Sequence, residues 1–171
     1  MRKNYTMNTG IVAVLLALTI LFPFNGLAQS KNALVGTWKL VSATETTKTG
    51  EVRDVSGWKN PTGLLTYTAD GRVMVIMTSG GRKPLSVGAT AEEKAELLFT
   101  IAAYGGRYTL DGNKVIHHIE VASAPIAENT DQERLITNLT GNSLTFRTAT
   151  LVAPSEQIAF REFVWERISN N

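Results

Sequence analysis

Leu34-Val35-Gly36-Thr37-Trp38-Lys39-Leu40-Val41-Ser42-Ala43-Thr44 is the stretch on which the fold turns. Successive side chains of an extended chain point to opposite faces, so Trp38, Leu40 and Ser42 share one face and Thr37, Lys39 and Val41 the other. The alternation predicts a first long strand from Leu34 to Thr44, with one side turned to a core.

Outward from that strand the same period recurs, broken by turn residues. Thr46 to Pro61 is polar, with two glycines before its closing proline, and reads as a loop. Gly63–Thr68 and Arg72–Thr78 read as strands, and the Ala69-Asp70-Gly71 between them supplies a residue able to take positive φ in a tight hairpin. Ser79–Gly88 is a loop. Thr90-Ala91-Glu92-Glu93 then has the order of a capping box, Thr90 as N-cap and Glu93 three residues on. Ala95, Leu97, Leu98, Ile101 and Ala102 follow at helical spacing before Gly105-Gly106, which predicts one helix over about 90–103. Arg107–Leu110, Lys114–Ala122, Gln132–Leu139, Ser143–Thr148 and Ile158–Ile168 complete the strands, with Asp111-Gly112-Asn113 and Thr140-Gly141-Asn142 as turns. The chain is therefore expected to be all-β: eight strands, mostly antiparallel, with one inserted α-helix. A sandwich or a closed barrel fits that order, and an eight-stranded barrel encloses a lumen that side chains fill or that holds one small ligand.

Upstream, Arg2 and Lys3 precede an apolar run from Ile11 to Phe24, and Asn25-Gly26-Leu27-Ala28 places small residues where a signal peptidase cuts. The run falls short of the roughly 20 residues that span a bilayer. Residues 1–28 are read as a cleaved signal and 29–171 as the domain, periplasmic or secreted, with no stable membrane span after cleavage. No cysteine follows the apolar run, which excludes a lipid-modified N-terminus. Arg2 and Lys3 are two of the 17 basic residues, and none of the 15 acidic ones precedes residue 29. The domain is thus charge-balanced, and nothing in it points to nucleic acid. The absence of cysteine rules out disulfides and thiolate zinc, so the core must carry the stability.

Specific residues go beyond the periodicity. Gly36-Thr37-Trp38 at the start of the first strand resembles the opening signature of the lipocalins. In that family the Trp plugs the closed end of the barrel, and an Arg near the end of the last strand lies across it. Arg167, in Phe163-Val164-Trp165-Glu166-Arg167-Ile168, matches that Arg, and a guanidinium on an indole is a favourable contact. Four further stretches resemble a narrower group, the bacterial and fungal lipocalin-like domain proteins. They are Pro61 to Arg72, the helix with Tyr104-Gly105-Gly106-Arg107-Tyr108-Thr109, Gly112 to Val121, and Val164-Trp165-Glu166-Arg167. The resemblance implies a lipocalin-like β-barrel with Gly36, Trp38 and Arg167 as its structural signature. It departs from the large secreted lipocalins in having no disulfide and in placing its helix between the third and fourth strands. No ligand or activity is carried over.

The chemistry-bearing residues are few. His117 and His118 are the two histidines. Adjacent on a strand, they point to opposite faces and cannot jointly chelate a metal, so no metal site is expected. Val115, His117, Ile119 and Val121 share the more apolar face, which makes His117 the lumen candidate. It is either a core-edge histidine bonded to a neighbour, a ligand contact, or a general acid or base. Arg134, in Glu133-Arg134-Leu135-Ile136-Thr137, either faces solvent in an ion pair or enters the lumen as a buried cation. There it would need a carboxylate from a ligand or from Glu120. Tyr67, Tyr104 and Tyr108 are polar-tipped aromatics suited either to lining a pocket or to packing its rim. Trp58 lies in the polar first loop, placed to cover the open end. Thr78-Ser79-Gly80-Gly81-Arg82-Lys83 lacks phosphate-loop spacing, no Gly-x-Ser-x-Gly is present, and no cofactor is expected.

Tyr67, Tyr104, Tyr108, His117 and Arg134 are accordingly the candidate ligand-binding residues, set among Val73, Val75, Ile119, Val121 and Ile136. The expected function is binding of a small, largely apolar molecule in the barrel. The alternatives are an isomerase or cyclase using His117 in the same cavity, and a packed barrel with a surface role. Catalytic residues are not assigned.

Overall fold

The structure, a computed structural model, describes residues 31–55, 57–148 and 158–169. The expected signal segment, 1–28, lies outside the described residues. A short helix α1 (Lys31–Leu34) leads into β1 (Gly36–Thr47), β2 (Val52–Asp54), β3 (Thr62–Tyr67) and β4 (Arg72–Thr78). Helix α2 (Ala91–Phe99), β5 (Ile101–Asp111) and β6 (Lys114–Ala122) follow, then one 3₁₀ turn at Pro125–Ala127, β7 (Asp131–Leu139), β8 (Ser143–Thr148) and β9 (Ile158–Arg167). β1 and β3 to β9 pair antiparallel in sequence order, and β9 returns to β1, closing an eight-stranded barrel. The three-residue β2 pairs with the end of β1 alone.

One end is plugged. Trp38 is fully buried and donates its indole N–H to the Leu34 carbonyl at 2.9 Å. The Arg167 guanidinium lies 4.0 Å from the indole centroid and donates to the Val35 and Ala33 carbonyls at 2.6 and 2.7 Å. Gly36 is required beneath it: its φ is +138°, and a Cβ there would collide with Arg167 Nη1. The contact ties α1 and both ends of the domain together. Leu34, Leu65, Tyr67, Val73, Val115, Leu144 and Trp165 fill that half of the barrel as a continuous core. Each large apolar side chain so buried contributes roughly 1.5–3 kcal/mol.

Several details differ from the sequence expectation. Leu34 ends α1 rather than opening a strand, which begins at Gly36. β1 runs on to Thr47 and pairs with Val52–Asp54 inside the segment expected as loop. A bulge at Val41 breaks the register between Leu40 and Ser42, so the inward face continues through Ala43, Glu45 and Thr47 instead of Ser42. The helix ends at Phe99, with Thr100 as its C-cap, and buries no residue. Ile101–Ala103 instead pair with β4, because a strand there completes the barrel ladder while a longer helix would gain no burial.

Gly105-Gly106 therefore lies inside a strand and stops no helix. Gly105 pairs with Val121 and Gly106 with Ile119, leaving Glu120 as a bulged residue. A Cβ on Gly106 would collide with the His118 carbonyl oxygen, so the close approach of β5 and β6 at the bulge demands glycine. The bulge also turns Val121 outward, to 61% exposure, and off the face it was expected to share with His117.

Candidate functional site

The half of the barrel opposite Trp38 is hollow. Its cavity, about 530 Å³, opens between the ends of β4 to β9. Among the described residues, Met77, Ile101, Ala102, Ile126 and Phe163 give it apolar walls, and Tyr104, Gln132, Arg134, Thr148 and Arg161 give it polar groups. That volume and that mix are those of a small-molecule site. A second hollow, about 630 Å³ but more open, lies on the outer face of β3 to β6 against exposed Leu64, Met74, Ile76 and Val121. Thr66, Tyr104 and Ser123 border it but expose little polar surface to it, so the internal cavity is the better candidate.

A hydrogen-bonded column rises from the packed half to the cavity. His117 is fully buried on β6. Its Nε2 is 2.7 Å from the Tyr67 hydroxyl and its Nδ1 2.8 Å from the Tyr104 hydroxyl. Burial, helped by the charge of Arg134 and then by His118, holds the imidazole well below its ordinary pKa, so the ring is neutral. Burial likewise pushes the Tyr67 hydroxyl well above its ordinary range. Tyr104 leads on to Arg134, whose Nη2 is 3.5 Å from its hydroxyl.

Arg134 enters the lumen. It is 6% exposed, with Gln132 beside it on the inward face of β7. It donates to Gln132 Oε1 at 2.5 Å, to Thr148 Oγ1 at 3.3 Å and to the Glu133 carbonyl at 3.0 Å. All of these acceptors are neutral, and among the described residues no carboxylate lies within ion-pair distance of it. Glu120, suggested as its partner, is on the outer surface with Arg72 and Arg107.

The other candidates divide. Tyr104 and Arg134 line the cavity, whereas Tyr67 and His117 lie beneath it in the column. Tyr108 packs its ring on Tyr67 at 4.7 Å and donates its hydroxyl to the Thr68 carbonyl at 3.1 Å, away from the cavity. His118 faces outward, bonded to Thr109 and Asp131. Trp58 is half-buried against the core. No group of three potential metal-ligating side chains occurs among the described residues.

Sequence reasoning passed over Gln132, Phe163, Arg161 and Glu45. Gln132 was legible, since it stands two residues before Arg134 on one strand. Glu45, 1% exposed, was hidden by the bulge at Val41. Its carboxylate accepts from Arg53 Nε at 3.0 Å and lies 3.5 Å from Arg161 Nε, so its single negative charge is shared between those two cations and forms no ion pair with Arg134.

Comparison with family models agrees with the barrel. The family model described as "Lipocalin-like domain" matches residues 35–168. Similar solved structures include a lipocalin-like protein from Bacteroides uniformis, 13% identical, covering 80% of this chain and 99% of that one, with a TM-score of 0.42. Another is an uncharacterized protein from Bacteroides eggerthii, 10% identical, covering 79% and 99%, with a TM-score of 0.41. A redesigned β-barrel, 14% identical, covers 84% and 98% with a TM-score of 0.42. No curated protein matches the chain. With the family model spanning the closed barrel from its first strand to its last, the chain belongs to the lipocalin-like domain family.

Proposed function

We propose that the protein binds a small, largely apolar molecule in the open half of its barrel. The observation that carries this reading is the cavity itself: about 530 Å³ with apolar walls and a few fixed polar groups, above a core that plugs the other end. A barrel packed throughout would leave no such space. An acid or base role for His117 has less support, because both ring nitrogens are taken by tyrosines and the residue does not line the cavity.

Thermal unfolding with decanol and with decanoate tests the proposal. A ligand that binds the native state raises the melting temperature, by about 2.7 kcal/mol of added stability at a hundredfold excess over Kd. A rise with either amphiphile supports lumen binding. Unmoved curves for both, and for retinoids and aromatic acids as well, would leave the binding reading without support.

We further propose that the protein acts outside the cytoplasm, after cleavage behind Ala28. The support is the order of charge, apolar run and small residues in 1–28. Amino-terminal sequencing of the exported protein should begin at Gln29. An intact Met1 in a membrane fraction would contradict it.

A further inference from the structure

Resting on that lumen-binding reading, the geometry points to the class of ligand. The neutral His117 has one N–H donor and one acceptor nitrogen, so its two tyrosine partners cannot play the same part. Two arrangements exist. In one, Tyr104 donates to Nδ1 and Nε2–H donates to Tyr67. The proton of Tyr67 then has nowhere to go, because Tyr67 is 1% exposed and His117 is the one hydrogen-bond partner of its hydroxyl among the described residues. An orphaned buried donor costs about 1–3 kcal/mol. In the other, Tyr67 donates to Nε2, and Nδ1–H donates to the Tyr104 oxygen. Every proton of the column is then used except that of Tyr104, which is released into the cavity that Tyr104 lines. The second arrangement is the favoured one.

The neighbours of Tyr104 are donors too. Arg134 has no acceptor atom. Gln132 must turn its oxygen to Arg134, since a guanidinium can only donate, and so its NH₂ is left as its free end. The Ser123 oxygen already accepts from the Ala103 N–H, so its hydroxyl proton is also left to give. The polar face of the cavity thus offers donors and two cations: Arg161, which shares Glu45 with Arg53, and Arg134, which has no described carboxylate within ion-pair distance. A buried cation held only by neutral acceptors is costly, and an anionic acceptor removes that cost.

We propose that the ligand is an apolar-bodied monocarboxylate whose carboxylate is held by Arg134 and the Tyr104 hydroxyl. Tyr67, acting through His117, is the positioning residue that turns that hydroxyl toward the ligand. The hydrocarbon body lies against Met77, Ile101, Ala102 and Phe163.

Calorimetric titration of the whole protein with decanoate, 1-decanol and decylamine tests this. Decanoate should bind on the order of tenfold or more tighter than decanol, as charge-assisted contacts exceed neutral ones, and decylamine should bind least. Arg134→Gln should erase the preference for decanoate while decanol still binds. Arg134→Lys, which keeps the charge, should retain part of it, and Tyr104→Phe should narrow it. The wild-type comparison stands even if a variant fails to fold. Nitrogen-15 NMR of the His118→Gln variant reads the remaining histidine, and should show the proton on Nδ1.

Equal affinity for decanol and decanoate would overturn the carboxylate assignment while leaving lumen binding intact. A proton on Nε2 would overturn the assigned role of Tyr104. Failure of all three amphiphiles to bind would overturn the carboxylate assignment, and lumen binding would fall with it only if retinoids and aromatic acids also left the melting curve unmoved.

Discussion

Trp38, His117 and Arg134 stand at three depths of one barrel and face three different physical demands. Trp38 is a packing residue at the plugged end, enclosed by Leu34 and Arg167. Trp38→Ala should cost about 3–5 kcal/mol in chemical denaturation, as for other buried aromatics; a loss below about 1 kcal/mol would show that the plug does not hold the barrel shut. His117 is neutral in the fold, chiefly because it is buried, but in the unfolded chain it takes up a proton below its ordinary value of 6.5. The unfolded state therefore binds more protons in that range, and stability rises with pH there. Stability should be fully present above pH 6.5 and decline as the pH falls below it, by up to about 1.4 kcal/mol per unit. The exposed carboxyls held low by hydrogen bonds, Asp70, Glu92 and Glu120, are ionised throughout that window. Melting temperatures measured from pH 7.5 to 5 should show the decline in the wild type. His117→Gln should flatten it, and an equally steep decline in that variant would assign it to another group.

The elements show why the sequence was readable in some places and not in others. Hairpins whose turn glycine precedes an alternating run, as at Gly71, fell where periodicity placed them, with Gly71 at φ +91°. Alternation fails wherever a strand carries a bulge, because one extra residue exchanges the two faces. That is why Glu45 was missed and Val121 misplaced, while His117 and Ile119, before the bulge, were placed correctly. The helix end was misread for a related reason: Ile101 and Ala102 satisfy a helical spacing and a strand pairing alike, and only the ladder with β4 decides between them. The bulge at Gly106 can be tested alone. Gly106→Ala would press a methyl group on the His118 carbonyl and should destabilise the protein by about 1–3 kcal/mol, the usual cost of forced overpacking. It should also shift the backbone amide signals of β5 and β6 more than those of β8. An unchanged denaturation midpoint would mean that the two strands can part there freely.

In the whole molecule the plug and the cavity divide the labour. Arg167 joins the last strand to the segment before the first, and the aromatic core sets the depth at which packing stops. Above that level the open half keeps the hollow bounded by Tyr104, Arg134 and Phe163. Sequence alone could rank these residues as candidates, because polar-tipped side chains on an inward face are visible as a pattern. It could not show that Tyr108 turns away, or that Arg134 has no carboxylate beside it, since both facts depend on pairings between strands far apart in the chain. Native mass spectrometry of the protein mixed with decanoate tests the central claim most directly, read against an Ala102→Phe variant whose new ring takes up part of the cavity beside the ligand. The account predicts a one-to-one adduct with the wild type and its loss in a variant that remains folded. An adduct retained undiminished in Ala102→Phe would place the ligand elsewhere and contradict a binding site in the barrel.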